Sequence, residues 1–165
     1  MRIILLFILL LSCSCINAQS STNAFVKYFN RSVLIYNCPL NDDIQTVIFQ
    51  DSINETNYYD LEFIGKSPLR FKVRLQAYEY SPLIEGWINK DCVAVFLRSN
   101  TEEGMVVLYE QPTTQSTRFI FEKYSLPVTV IDYKDNWLKV AFVDNGKLYV
   151  GWTNSYCSSI YNSCS

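Results

Sequence analysis

Residues 85–92 read EGWINKDC, and residues 150–157 read VGWTNSYC. Gly, Trp, Asn and Cys recur at the same places, sixty-five positions apart. With 3 Trp and 6 Cys in 165 residues, a chance alignment of both types is rare, so the echo points to an internal duplication. The correspondence extends upstream. VLIYNCPLND (33–42) matches VVLYEQPTTQ (106–115): aliphatics, a Tyr, two residues and a Pro. Lys72-Val73 then falls opposite Lys139-Val140, the first copy being longer by six residues before this point and by two after it. Length differences of this kind belong in loops.

The period within each copy is that of strands. In LRFKVRL (69–75), Leu69, Phe71, Val73 and Leu75 alternate with Arg70, Lys72 and Arg74. In NWLKVAF (136–142), Leu138, Val140 and Phe142 share one side. Asp144-Asn145-Gly146 is a tight hairpin signal, because Asn and Gly tolerate positive φ. No segment longer than a turn or two has helical period. The chain is therefore expected to be all-β, with about five short strands per copy.

The order of motifs resembles that of the bacterial SH3-like domains. The second copy carries the likeness through Leu126-Pro127-Val128-Thr129-Val130, Trp137-Leu138-Lys139-Val140 and Gly151-Trp152; the first carries it through Tyr36, Pro39, Lys72-Val73 and Gly86-Trp87. Asn37-Cys38-Pro39 and Glu110-Gln111-Pro112 stand where that family has an Arg-Ser-Gly-Pro loop. The resemblance implies two tandem small SH3-like β-barrels: a first domain over 32–97, a short polar linker over 98–104 and a second domain over 105–165. Residues 19–31 form an N-terminal extension or an extra strand. The two Gly-Trp pairs, Gly86-Trp87 and Gly151-Trp152, anchor the repeat and are expected in like surroundings. By the same resemblance the ligand is cell-wall peptide, peptidoglycan or another peptide or protein, with no cofactor.

The start of the chain reads as an export signal. Arg2 precedes an unbroken apolar run, Ile3–Leu11, too short to span a bilayer, and small residues follow. Cleavage after Ala18 would give a signal peptide of 1–18; alternatively, Leu10-Leu11-Ser12-Cys13 resembles a lipobox in which Cys13 is acylated. Either exit places the protein in the periplasm or cell envelope, with no transmembrane segment after signal removal. Without Arg2 the chain has 13 basic against 16 acidic residues, a net charge of −3. That balance argues against nucleic acid, whose phosphates call for a surplus of Lys and Arg.

Four cysteines remain beyond the signal: Cys38, Cys92, Cys157 and Cys164. In an oxidising compartment they favour disulfides, with three pairings open. The repeat makes Cys92 and Cys157 equivalent. The SH3-like resemblance implies Cys38–Cys92 within the first barrel and Cys157–Cys164 at the C-terminus; Cys92–Cys157 would instead join the barrels.

Catalysis is not expected. The chain has no His, so Ser-His and Cys-His pairs are impossible. No cysteines are spaced as metal ligands, and Asp132, Asp135 and Asp144 match no calcium loop. The acidic pairs Asp42-Asp43 and Glu102-Glu103 sit in polar segments, where such pairs face water. The candidates for ligand binding are aromatic. Tyr36 and Tyr109 precede the Pro-containing loops, Trp137 falls opposite Arg70 on a polar side, and Tyr58 and Tyr59 lie in the first copy's insertion. Trp87 and Trp152 read as core, and Arg70, Lys72 and Arg74 as a basic stripe that keeps one face wet or holds an acidic partner.

Overall fold

A computed structural model describes residues 22–27, 31–50, 59–77, 81–122 and 126–158. Thirteen described strands run in the order β1 (Asn23–Val26), β2 (Arg31–Tyr36), β3 (Ile44–Gln50), β4 (Asp60–Lys66), β5 (Arg70–Gln76), β6 (Ile84–Asn89), β7 (Val93–Leu97), β8 (Val106–Tyr109), β9 (Arg118–Phe121), β10 (Pro127–Lys134), β11 (Trp137–Asp144), β12 (Lys147–Thr153) and β13 (Tyr156–Cys157). Alternation in the letters becomes alternation in burial. Phe71, Val73 and Leu75 of β5 are fully buried, as are Leu138 and Val140 of β11. Leu69 breaks the expected series: it precedes β5 and is 69% exposed. The β11–β12 hairpin turns on Asn145 (φ 48°) and Gly146 (φ 76°), as Asp-Asn-Gly requires.

The duplication is present in the strand pairing. The path through the sheet is β3-β2-β6-β5-β4-β1-β7-β10-β11-β12-β8-β9, with β13 also on β7. Outward from the centre, each half therefore repeats one order: β4-β5-β6-β2-β3 and β10-β11-β12-β8-β9. Even the irregularities match. The ladder between β4 and β5 shifts register between Phe63 and Gly65, and that between β10 and β11 shifts between Val130 and Asp132. Trp87 pairs with Tyr36 and Lys72, and Trp152 pairs with Tyr109 and Lys139.

Two closed barrels are not what these strands build. Twelve of them form one open hydrogen-bonded path, ending at β3 and β9, and β13 joins it on β7. The reason lies at its centre, where strands are lent between units. β1 pairs with β4 through Ala24 and Leu61, while β7 pairs with β10 through Val95 and Val128. Leu61 lies two residues before Phe63, as Val128 lies two before Val130, so β1 serves the first half as β7 serves the second. Yet β7 follows directly from β6 of the first half, across a 3-10 turn at Lys90–Cys92. Phe25 of β1 and Phe96 of β7 take equivalent places and meet with ring centroids 5.2 Å apart.

One contiguous core spans both halves, from Val33 and Ile35 through Leu61, Val93 and Val95 to Leu108, Val130 and Val140. Tyr133 of β10 reaches into the first half, stacking on Phe63 at 4.7 Å with Phe71 at 5.8 Å. Beside it, Lys66 bridges to Asp132 at 2.7 Å and donates to the Tyr133 carbonyl. Burial, and then the neighbouring Asp132 charge, push the Tyr133 hydroxyl above its ordinary pKa.

The expected Cys38–Cys92 staple is absent: both residues carry free thiols. Cys157 is disulfide-bonded, and its expected partner Cys164 lies outside the described residues, as do the signal segment 1–18 and Cys13. Since Cys92 is free, it is not joined to Cys157 either. Strand pairing shows why the sulfur alignment misleads. On β7, Val93 pairs with Val26 and Leu97 pairs with Tyr156 of β13. Because Leu97 takes the place of Val26, Tyr156 takes the place of Val93, and Cys157 corresponds to Ala94. Cys92 ends the 3-10 turn that only the first copy inserts there.

Candidate functional site

Two glycines set the geometry from which each site is built. Gly151 of β12 lies so near β8 that an added Cβ would sit 2.8 Å from the Leu108 Cβ and 3.2 Å from the Tyr109 carbonyl. Gly86 of β6 does the same to β2, against Ile35 and, at 3.3 Å, the Tyr36 carbonyl. Each Gly thus lets a neighbouring strand press close, and each following Trp lands beside a Tyr on the outward face.

In the first half that face is closed. The Arg70 guanidinium lies 3.5 Å from the Tyr36 ring centroid, a cation–π stack, and both residues are buried. Its Nε donates to the Asn89 side chain at 3.0 Å, its Nη1 to the carbonyls of Cys38 and Asn41, and its Nη2 to Asp42 at 2.6 Å. The loop after β2 is folded down onto this one side chain, so Tyr36 offers no ring face to a ligand. The rest of the stripe is neutralised within the half: Lys72 bridges to Glu85 at 3.0 Å and Arg74 to Glu62 at 3.2 Å. The Lys72 hydrogen bond, chiefly, holds the Glu85 carboxyl below its ordinary range. The cations of the stripe are paired here, and Lys72 and Arg74 still reach solvent.

The second half leaves the same place open. Trp137 stands where Arg70 does and meets Tyr109 edge-on, centroids 5.4 Å apart at 88°. Both rings are half-buried, while Asn154, the counterpart of Asn89, is exposed. Trp152 pairs across the strands with Tyr109, with the Lys139 ammonium 5.9 Å from the Trp152 ring centroid. Arg118 of β9 pairs across from Tyr109 and is exposed. Neither Arg118 nor Lys139 makes an ion pair with another described residue.

The loop beside this platform is held by its own hydrogen bonds: Glu110 N–H to the Thr117 carbonyl at 2.8 Å, Gln111 N–H to the Ser116 hydroxyl at 3.1 Å, and Ser116 N–H to the Thr113 carbonyl at 3.2 Å. It turns back on itself and leaves the aromatic pair uncovered. The difference continues along the sheet. Where the first half has Arg74 and Glu85, the second has Ala141 paired with Val150, followed by Val143 paired with Leu148. Val143, Leu148 and Val150 are 59%, 63% and 41% exposed.

Of the other aromatic candidates, Tyr59 is half-buried against the core, its carbonyl accepting from the Val26 amide at 3.2 Å, and Tyr58 lies outside the described residues. Trp87 is half-buried and Trp152 is 8% exposed. The structure brings Tyr109 and Trp137 together and places Tyr36 and Tyr59 elsewhere. Arg118 and Lys139 escaped sequence reasoning as site members, although Lys139 was legible as the counterpart of Lys72.

No group of three His, Cys, Asp or Glu side chains that could hold a metal occurs among the described residues. Burial, reinforced by the Asp91 charge, pushes the Cys92 thiol up to about 12, which leaves it a poor nucleophile. A recess of about 250 Å³ lies across β1, β4 and β5, lined by Asp60, Glu62 and Arg74 among others, away from the aromatic platform. No helix among the described residues is long and apolar enough to cross a membrane. No protein-family model, curated protein or solved structure matches the chain.

Proposed function

We propose that this is an exported, non-catalytic binding protein whose second half takes an extended peptide bearing carboxylates, with cell-wall peptide as the leading class. The observation that carries this is the exchange of Arg70 for Trp137 at one place in the two halves. Where the first half fills its own site with a guanidinium, the second presents two adjacent rings flanked by Arg118 and Lys139, which form no ion pair among the described residues. Tyr and Trp suit this role because they supply contact area with little rotamer entropy to lose. Arg118 and Lys139 then select for negative charge, and the apolar strip at Val150 and Leu148 extends the contact along the sheet. The motif order shared with bacterial SH3-like domains supports the same class of ligand.

Co-sedimentation with purified peptidoglycan tests the reading. The wild type should pellet, and Trp137→Ala or Arg118→Glu should each weaken binding roughly tenfold or more, on the scale of interface hot spots. Failure to pellet, together with recovery of one stoichiometric protein from the envelope, would favour an inhibitor or immunity-type protein that blocks a partner enzyme through this face.

A further inference from the structure

The turns that lead into Arg70 and into Trp137 have the same length and different supports. Lys66 pairs with Phe71 as Tyr133 pairs with Leu138, so 67–70 and 134–137 are matching hairpin turns. The first is held from within. The Arg70 amide donates to the Ser67 hydroxyl at 3.0 Å, the Ser67 amide donates to the Arg70 carbonyl at 2.8 Å, and the Pro68 ring fixes its own φ. The second turns on Asp135 and Asn136, of which Asp135 alone has positive φ, 53°. A two-residue hairpin loop with positive φ at its first position only favours Gly there, because a side chain crowds the neighbouring peptide. A residue other than Gly keeps such a conformation where further contacts hold it.

The contact that holds Asp135 comes from the other end of the chain. Thr22, 113 residues away, is 6% exposed and donates from its hydroxyl to the Asp135 carbonyl. Thr22 is itself fixed. Its carbonyl accepts from the Phe63 amide at 3.2 Å, its side chain hydrogen-bonds Tyr156, and β1 begins with the next residue. The N-terminal strand thereby links β4 of the first half to a turn of the second. Trp137 stands two residues after the tethered carbonyl, and its edge-on meeting with Tyr109 at 5.4 Å depends on where that turn sits. A ring placed before the ligand arrives binds without the cost of ordering it.

We propose, resting on the reading of Tyr109 and Trp137 as the ligand site, that Thr22 is its positioning residue: the hydroxyl holds the Asp135 turn so that Trp137 already stands against Tyr109 in the free protein. Fluorine NMR of protein labelled with 5-fluorotryptophan tests this without any ligand. The 3 Trp residues give three resonances, and the one lost in Trp137→Phe belongs to Trp137. In Thr22→Val, which removes the hydroxyl and keeps the shape, the Trp137 resonance should shift or broaden while that of Trp87 stays in place. Thr22→Ser keeps the donor and should match the wild type. A residue that only stabilised the fold would lower the urea midpoint and leave the native Trp137 resonance unmoved. Thr22→Ala stands in should Thr22→Val fail to fold. Co-sedimentation with peptidoglycan is the second readout: Thr22→Val should bind up to about fivefold more weakly, because binding must then order a turn that one hydrogen bond no longer holds. A Trp137 resonance unmoved in Thr22→Val, or a Thr22→Ser variant that behaves as Thr22→Val does, would overturn the proposal. A wild type that fails to pellet would sink the peptidoglycan reading alone, since the resonances still decide whether Thr22 holds Trp137.

Discussion

The first half of this molecule pairs the cations of its outward stripe within itself, and the second has no such pairing at the matching places. Arg70, Lys72 and Arg74 find Asp42, Glu85 and Glu62, while of their counterparts Trp137, Lys139 and Ala141 only Lys139 is charged, and it forms no ion pair among the described residues. The backbones follow one plan, down to the shifts in register and the close approach at Gly86 and Gly151. A duplicated framework has therefore been divided into a closed unit and an open one by changing the side chains on one face. Shared architecture does not carry shared function: the fold sets where a site can be, and side chains decide whether it is filled.

That comparison can be broken most directly at Arg70. Arg70→Met removes a buried cation and leaves the Cys38 and Asn41 carbonyls without their donor. A loss of about 3 kcal/mol in urea unfolding is expected, from the cost of stranding groups bonded to a charge. The corresponding Trp137→Ala should cost less than half as much, because that residue is half-exposed and roofs no loop. Equal losses would mean that the two places are built alike after all.

Next come the glycines. Gly86→Ala and Gly151→Ala each force a methyl into the neighbouring strand, and overpacking of this kind costs about 1–3 kcal/mol. The two variants should shift thermal unfolding by similar amounts. If only one is affected, the structural equivalence of the halves is wrong at its anchor.

A smaller effect separates the halves by pH. The folded-state pKa of Glu85 lies below its ordinary value of 4.5, so its contribution to stability is full above that value. It fades as pH falls through the lower, folded-state value. Acid titration of unfolding should therefore soften in Glu85→Gln, whereas Val150→Gln at the matching place should leave the acid limb unchanged. The least effect on stability, though a clear chemical one, concerns the thiols. With Cys92 raised to about 12, iodoacetamide at neutral pH should label Cys38 in the native protein well before Cys92. Labelling of Cys92 first would show that the 3-10 turn opens readily.

Much of this arrangement was legible in the letters. Strict alternation in 69–75 and 136–142 marks β5 and β11, because a pleated strand sends successive side chains to opposite faces. Asp-Asn-Gly fixes a turn because two successive residues there need positive φ. The duplication shows in Gly-Trp because tight strand contact requires the one residue and favours a large outward ring after it. These are local rules, and short stretches of sequence carry them whole.

Other features depend on what lies across the sheet. Period alone sends Arg70 outward with Lys72 and Arg74. Its burial comes from the loop at 37–42, which folds over it to bond its guanidinium. Closed barrels fail because the strand that would complete each unit is taken from elsewhere in the chain, β1 for the first and β7 for the second. The Cys92–Cys157 equivalence fails because a turn inserted after Asn89 displaces one copy against the other, and a string of letters aligned on Trp does not record which backbone faces which. Sequence by itself determined that the chain is all-β and internally doubled, since both follow from side-chain period and tight-turn chemistry. Tertiary structure alone decided where each unit finds its last strand and which of two equivalent aromatic sites stays open, since both depend on contacts between residues far apart in the chain.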